Sequence, residues 1–242
     1  MTSDAVQPFF EGVAWLDYGI KIPVSINFSS HPHLLVVGNT GSGKTCFLKF
    51  LLAKFVKVNP DLEIYVCDYK GDDFSFLEGE KRYFVYTKYL AGITAFYNRF
   101  LLRLEKQEKV LNRCVLLLDE FNTFITSLDK KSQEHVKQML SAILNMARSK
   151  NMSVITGVQH ANVTILSSRD AYTNVLGLST LSKETVGMIF NDFRDRIISL
   201  PCGQGFFYAD GEKDIHQVIV PRIRSLDNVH RMILIGVRHR NI

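Results

Sequence analysis

Residues 38–45 carry the residue types and the spacing of a phosphate-binding loop. They match GxxxxGK[ST] at every fixed position, directly after an apolar run and at the start of a helical pattern. Glycines let the backbone approach phosphates closely, and a helix N-terminus adds positive potential there. We expect Lys44 to reach the β- and γ-phosphates of ATP and the Thr45 hydroxyl to bind Mg²⁺. The predicted nucleotide-binding residues are Gly38, Asn39, Thr40, Gly41, Ser42, Gly43, Lys44, Thr45 and Cys46.

Two carboxylates, Asp119 and Glu120, follow the apolar run at residues 114–118. A buried strand that ends in two acids fits the metal side of a nucleotide site. We expect Asp119 to hold Mg²⁺ and Glu120 to polarise the water that attacks the γ-phosphate. The pattern alone also describes a strand that simply reaches solvent, but its place downstream of a phosphate-binding loop favours catalysis. The glutamate further favours hydrolysis over a nucleotide switch.

Gln159 follows another apolar run, at residues 154–158. If this run is the strand beside the one that ends at Asp119, Gln159 stands where a polar side chain can sense the γ-phosphate. An ordinary polar loop residue fits the same position, and the sequence leaves both interpretations open.

Apolar runs alternate with helical patterns along the chain, which predicts an α/β domain with a mostly parallel sheet. The first thirty residues suggest a small hairpin or edge strands, and the chain after Gly203 is expected to be rich in strands. Arg238, His239 and Arg240 are expected to form a basic tail on a terminal strand. The predicted strands cover residues 34–37, 62–68, 114–118, 152–157, 174–178, 205–208 and 218–220, and the predicted helices lie near 44–58, 93–104 and 132–148.

Composition excludes several classes of protein. The 242 residues are 46% hydrophobic and 22% charged, which is typical of a globular domain and not of a disordered chain. No apolar run approaches the roughly 18–20 residues that cross a bilayer, and the N-terminus lacks the pattern of a signal peptide. The four cysteines lie far apart without metal-ligand spacing, and three of them lie in or beside apolar runs, which favours small core residues in a reducing compartment such as the cytoplasm. The net charge of +5 permits a polyanionic partner without identifying one.

Taken together, these residues resemble the FtsK/HerA branch of P-loop motors, and specifically the FtsK/SpoIIIE motor domain. The likeness covers about residues 15–222 and includes an extended Walker A segment, an aspartate–x–lysine after the second strand, a Walker B pair and a glycine-bearing hairpin. The segments that carry it are residues 32–45, 68–71, 119–120, 147–148, 154–159 and 203–208.

The resemblance implies a RecA-like P-loop NTPase fold at residues 31–242, preceded by an N-terminal β extension at residues 1–30. It also implies a bacterial cytoplasmic ring, usually hexameric, that uses ATP to translocate double-stranded DNA. Such rings offer an arginine finger to the ATP of the neighbouring subunit. Arg148 is the first candidate, with Arg169 and Arg194 as alternatives, although a cation at a helix C-terminus explains Arg148 equally well.

The sequence departs from this family in two respects. His160 follows Gln159 where the family usually has arginine, and the chain has no room for a membrane domain, a preceding subdomain or a winged-helix DNA reader. We therefore expect a stripped motor of a mobile element. A relaxase, a replication initiator or a membrane channel protein would direct it, and any membrane contact would come through such a partner. Candidate DNA-phosphate contacts, or simply solvated cations, are Lys70, Lys81, Arg82, Lys130, Lys131 and Lys137.

Two other functions remain open from sequence. The same motor could package DNA into a capsid or couple a relaxase–DNA complex to a conjugation channel. Alternatively, the chain could be an ATP-binding adaptor that gates assembly with a relaxase or initiator and turns over negligibly.

Overall fold

The computed structural model describes residues 6–12, 22–107, 112–162 and 169–238, and ten strands and six α-helices lie within these ranges. The strands are β1 Val6–Gly12, β2 Ile22–Asn27, β3 Leu34–Val37, β4 Glu63–Asp68, β5 Tyr83–Val85, β6 Cys114–Asp119, β7 Met152–Val158, β8 Asn174–Leu178, β9 Gln204–Ala209 and β10 His216–Ile219. The helices are α1 Lys44–Val58, α2 Tyr89–Leu104, α3 Phe121–Ser127, α4 Lys130–Met146, α5 Lys183–Ile189 and α6 Leu226–Arg238.

All ten strands form one sheet in the order β2-β1-β10-β9-β8-β3-β7-β6-β4-β5. From β8 to β5 every neighbouring pair is parallel, whereas the pairs from β2 to β8 are antiparallel. The parallel strands β3, β4, β6, β7 and β8 are buried along their whole length, as expected for a sheet covered by helices on both faces. The predicted α/β P-loop fold with a mostly parallel sheet is confirmed.

Two apolar layers hold the sheet between its helices. On one face, α1 and α6 contribute Phe47, Leu51 and Ile233 to a core that also receives Phe9 and Phe10 of β1. On the other face, α2 and α4 bury the residues that the helical periodicity predicts. These residues are Ile93, Phe96, Phe100, Val136, Met139, Leu140, Ile143 and Leu144.

The N-terminal strand pair closes the antiparallel edge of the sheet. β1 pairs with β2 on one side and with β10 on the other, and Phe10 stacks on Phe47 of α1 with ring centroids 5.1 Å apart. A short N-terminal β extension is thus confirmed, while its proposed boundary at residue 30 stays a prediction. In the described ranges, no helix combines the length and the apolar character that a bilayer crossing requires.

The C-terminal segment corrects one prediction. The β9–β10 hairpin is present, but Arg238 ends helix α6 and does not belong to a terminal strand; His239 and Arg240 lie outside the described residues. Ile233 and Val237, four residues apart, are buried on one face of α6, which is the helical spacing. At Gly236 a Cβ would lie only 2.6 Å from Cδ1 of Ile64, so α6 approaches β4 where only glycine fits.

Candidate functional site

The loop at residues 38–45 connects β3, in the parallel half of the sheet, to α1. Gly41 and Gly43 have φ angles of +81° and +93°, in the left-handed region that favours glycine. At Gly38 a Cβ would lie 2.5 Å from the Ser42 hydroxyl, so this position also excludes larger residues. The loop therefore has the backbone that its glycines predict. Lys44 is buried at the first position of α1.

The predicted glycine-bearing hairpin touches this loop. The backbone N–H of Gly203, just before β9, donates to the carbonyl oxygen of Ser42 at 3.0 Å. The Sγ atom of Cys202 lies 3.7 Å from the Cβ position of Gly43. The antiparallel half of the sheet thus supports the phosphate-binding loop.

Three further strands bring polar side chains to the same edge. The sheet order β3-β7-β6-β4 places the residues after β7, β6 and β4 next to the loop after β3, because the carboxyl ends of parallel strands share an edge. Lys44 Nζ lies 3.1 Å from Oε1 of Glu120 and 3.9 Å from Oδ1 of Asp119. Gln159 Nε2 donates to the other carboxylate oxygen of Glu120 at 2.7 Å. The structure therefore brings together the predicted residues Lys44, Asp119, Glu120 and Gln159.

Glu120 is held in an unusual conformation. Its φ of +53° is left-handed, which a non-glycine residue adopts at a cost, and such strain is often found at functional sites. Burial raises the pKa of the Glu120 carboxyl, but the ammonium groups of Lys44 and Lys70 outweigh burial and lower that pKa overall. Glu120 is therefore an ionised, oriented carboxylate that can accept hydrogen bonds from a water molecule.

Asp119 differs from its neighbour because it is fully buried. Its Oδ1 accepts the backbone N–H of Glu120 at 3.0 Å, whereas Oδ2 is buried with no hydrogen-bond partner among the described residues. Burial raises the pKa of this carboxyl to about 7; Lys44 opposes the rise, and the nearby carboxylates Glu120, Asp68 and Asp73 add to it. A cation would relieve both the unpaired oxygen and the mutual repulsion of these acids.

The donor set fits Mg²⁺. Magnesium prefers oxygen ligands and is held in nucleotide sites by one or two protein groups together with phosphates and water. The Asp119 oxygen and the Thr45 hydroxyl at the start of α1 are such groups. Within the described ranges, no cluster of three histidine, cysteine or acidic side chains could hold a metal ion by itself.

Three residues at and after the end of β4 also belong to this edge, and sequence reasoning gave them no role at the site. Lys70 Nζ lies 3.3 Å from Oε1 of Glu120, and the Thr45 hydroxyl donates to Oδ2 of Asp73 at 3.1 Å. Asp68 shapes the loop by accepting the backbone N–H groups of Gly71 and Phe74. The sequence did show that these acids follow a predicted strand. Because that strand, β4, pairs with β6, its carboxyl end lies beside Asp119 and Glu120.

Among the described side chains, no hydrogen bond or ion pair joins Arg148 or Arg194 to Lys44, Glu120 or Gln159. Arg148 is exposed in a turn before β7, at the edge of the sheet opposite Gln159. Arg194 lies beside Gly187 and lines an open cleft with Lys183 and Asn162. Arg169 begins a short helical turn before β8. A finger that acts on a neighbouring subunit need not approach its own site, so all three remain candidates.

Comparisons with known proteins agree with this geometry. The family model for the central domain of helicase HerA matches residues 13–197. The FtsK-domain protein YdcQ of Bacillus subtilis (strain 168) is 23% identical over 88% of this chain, which corresponds to 48% of YdcQ. This chain therefore spans about half the length of that relative.

Solved structures share the fold. A structure of ATPases 2 and 3 of EssC from Geobacillus thermodenitrificans superposes with a TM-score of 0.75 at 14% identity, covering 98% of this chain and 50% of that one. The pCW3 conjugation coupling protein TcpA, in a monomer form with ATPγS, superposes with a TM-score of 0.62 at 19% identity, covering 91% of this chain and 67% of TcpA. The family model covers most of the chain, and the P-loop and the acidic pair are present. The chain therefore belongs to the HerA central-domain family, among the FtsK-like P-loop ATPases.

Proposed function

We propose that this protein binds ATP with Mg²⁺ at residues 38–46 and hydrolyses it. The observation that carries the proposal is the Glu120 carboxylate, which Lys44 and Gln159 hold beside the phosphate-binding loop. Thr45 and Asp119 would hold the metal, and Lys44 would bind the β- and γ-phosphates. Glu120 would orient the attacking water and accept its proton. The metal neutralises phosphate charge when it is bound.

Nucleotide binding would change the partners of Glu120. Lys44 cannot face phosphate oxygens and remain the closest cation to the carboxylate, so ATP draws Lys44 toward the phosphates. Glu120 then keeps Gln159 and Lys70 as partners. Because Gln159 follows β7, it links the carboxylate to the strand between β3 and β6, which makes it the proposed sensor of the γ-phosphate.

We further propose that hydrolysis drives translocation of double-stranded DNA by a ring of identical chains, usually hexameric in this group of motors. Membership of an FtsK-like family supports this assignment, and the net charge of +5 permits a polyanionic partner. Arg148 would act on the ATP of the adjacent subunit, with Arg169 and Arg194 as alternatives. The motor domain would comprise residues 31–242 and work in the bacterial cytoplasm with a relaxase, an initiator or a membrane channel protein.

A second candidate function keeps the ATPase and changes its substrate. The type VII secretion ATPase EccC of Thermomonospora curvata shares the fold, and one EccC structure contains a signal sequence peptide, so a motor that acts on a protein substrate fits this fold as well as one that acts on DNA. The two functions differ in one measurable property, since only a DNA motor is stimulated by DNA.

The test measures ATP hydrolysis by the purified chain with and without long double-stranded DNA over a range of protein concentrations. We expect DNA to stimulate hydrolysis and turnover per chain to rise with concentration, because the site is completed between subunits. Lys44→Ala and Glu120→Gln should each lower turnover by about 100-fold or more. Lys57→Ala removes an exposed lysine at the far end of α1 and is the control for Lys44→Ala. In the absence of DNA, its turnover should equal that of the wild type.

The outcomes separate the proposals. Hydrolysis that DNA does not stimulate would retain the ATPase and reject DNA translocation. Turnover that is negligible at every concentration and DNA length would favour an ATP-binding adaptor. Activity that survives Glu120→Gln would reject the role given to that carboxylate.

A further inference from the structure

The acidic loop, defined here as residues 68–77, runs from the last residue of β4 toward β5. Hydrogen bonds to Asp68 hold its first part in place. The Asp68 carboxylate accepts the backbone N–H of Gly71 at 3.0 Å and that of Phe74 at 3.1 Å. Gly71 has a φ of +79°, which permits the turn, and the Phe74 side chain is fully buried in the core beside α1. Two residues lie between these anchors, Asp72 and Asp73, and the anchors fix the backbone on both sides of them.

Two helices hold the outer part of the same loop. The Phe76 ring stacks on His230 of α6, with centroids 3.7 Å apart and planes at 8°. Lys49 of α1 places its ammonium 5.5 Å from the Phe74 ring and 5.9 Å from the Phe76 ring, within the range of cation–π attraction. The acidic loop is thus packed against α6 and against α1, the helix whose first turn carries Thr45.

The one side-chain contact of the acidic loop with the phosphate-binding loop that the structure records joins Asp73 to Thr45. The Thr45 hydroxyl donates to Oδ2 of Asp73 at 3.1 Å. A hydroxyl has one proton and two lone pairs, so it can ligate a metal only while its proton points to some other acceptor. Asp119 is a poor acceptor here because its Oδ1 receives the Glu120 N–H and its buried Oδ2 is the oxygen left for the metal.

We propose that Asp73 is a positioning residue for the magnesium site. It holds the proton of Thr45, so that a lone pair of the hydroxyl faces the metal, and it adds negative charge outside the ligand shell. Asp73 does not itself ligate the metal in this arrangement. The inference rests on the proposed function, since it assumes that Thr45 binds Mg²⁺ together with ATP.

The experiment measures binding of a fluorescent, non-hydrolysable ATP analogue to the full chain while Mg²⁺ is titrated, and repeats the measurement in EDTA. Asp73→Ala should raise the Mg²⁺ concentration at half-maximal binding about tenfold, equivalent to about 1.4 kcal/mol. Binding in EDTA should be unchanged or slightly tighter, because a nearby negative charge is gone. Asp72→Ala, which removes the exposed acid next in sequence, should change neither value.

A conservative variant separates positioning from loop structure. The amide oxygen of Asp73→Asn can still accept the Thr45 proton. This variant should therefore raise the Mg²⁺ concentration at half-maximal binding by less than about threefold. It preserves the shape of the side chain and serves on its own if Asp73→Ala does not fold. An Asn variant as impaired as the Ala variant, or impaired more than threefold where it is the only folded one, would overturn the proposal.

A double-mutant cycle with Thr45→Ala completes the test. If Asp73 acts through the hydroxyl, Asp73→Ala should cause no further loss once Thr45 is alanine. Fully additive losses would overturn the inference. It would also be overturned if Thr45→Ala needs more Mg²⁺ than the wild type and Asp73→Ala does not. A Thr45→Ala variant with an unchanged Mg²⁺ requirement would instead reject the proposed metal role of Thr45, on which the inference depends.

Discussion

The two ends of β4 each lie in a cluster of buried charges, and the clusters differ in whether the charges are paired. At the amino end, the fully buried Glu63 has both oxygens paired, with Arg99 at 3.0 Å from Oε1 and Arg82 at 3.2 Å from Oε2. At the carboxyl end, Asp119 on the adjacent strand has a buried oxygen with no partner among the described residues. A paired buried charge maintains a structure, whereas an unpaired one indicates a missing partner such as a ligand.

The contacts of the two clusters support this division. Arg82 also donates to the carbonyl oxygen of Val237, so the Glu63 cluster ties β4, β5 and α6 together. Around Asp119, the lysines and acids come from segments at the carboxyl ends of three different strands, β3, β4 and β6. Lys70 and Arg82, both considered above as candidate DNA contacts, pair with Glu120 and Glu63 in this structure, and their contact with DNA stays a prediction.

The largest effect is expected where a paired charge is broken. Glu63→Ala leaves two arginines facing each other without their carboxylate and should lower the free energy of unfolding by about 3–5 kcal/mol. Chemical denaturation measures this loss, and Glu134→Ala, which removes an exposed acid on α4, is the control. Nucleotide affinity should be unchanged in the folded fraction. Equal unfolding midpoints for the two variants would show that the Glu63 cluster contributes no stability.

A pH titration tests a second buried group at the amino edge. His33 precedes β3, is buried, and accepts the backbone N–H of Val154 at 3.1 Å through Nδ1. Burial lowers its pKa from 6.5 to about 4, and the nearby Leu144 backbone opposes this only in part. Between these values the unfolded chain binds the additional proton, so stability is lost as the pH falls from about 6.5 to about 4, by about 3 kcal/mol in total.

The difference between the wild type and His33→Asn isolates this contribution. The asparagine oxygen can replace Nδ1 as the acceptor and does not titrate, so the variant should lose less stability over the same pH interval. His135→Asn, at an exposed position on α4, should follow the wild type. Parallel pH profiles for the wild type and His33→Asn would contradict the assignment.

Local pattern was sufficient to predict the phosphate-binding loop, the bounds of α1, and the buried strands β6 and β8, because continuous apolar runs and glycine spacing determine them. Helix α6 was missed because the segment after β10 is rich in isoleucine and valine, which favour strands. Its helical conformation is stabilised by packing on α1 and β4, which the local sequence does not show. The contacts of Lys70 and Asp73 were missed for a similar reason. They depend on which strand lies next to which, a tertiary property that the sequence of one loop does not carry.

The smallest effect should have the opposite sign, at Asp119. Its raised pKa means that the nucleotide-free protein loses stability as the pH rises from about 3.8, the ordinary value, to about 7, above which the buried carboxyl is ionised without a partner for Oδ2. Asp119→Asn removes that charge and keeps an oxygen for the Glu120 N–H, so it should raise the free energy of unfolding in EDTA at pH 8 by about 2 kcal/mol. Adding Mg²⁺ with a non-hydrolysable ATP analogue should then stabilise the wild type far more than the variant, since only a protein that binds the ligand gains from it. A variant that is less stable than the wild type in EDTA would mean that Asp119, like Glu63, serves the fold, and the contrast between the two ends of the sheet would no longer hold.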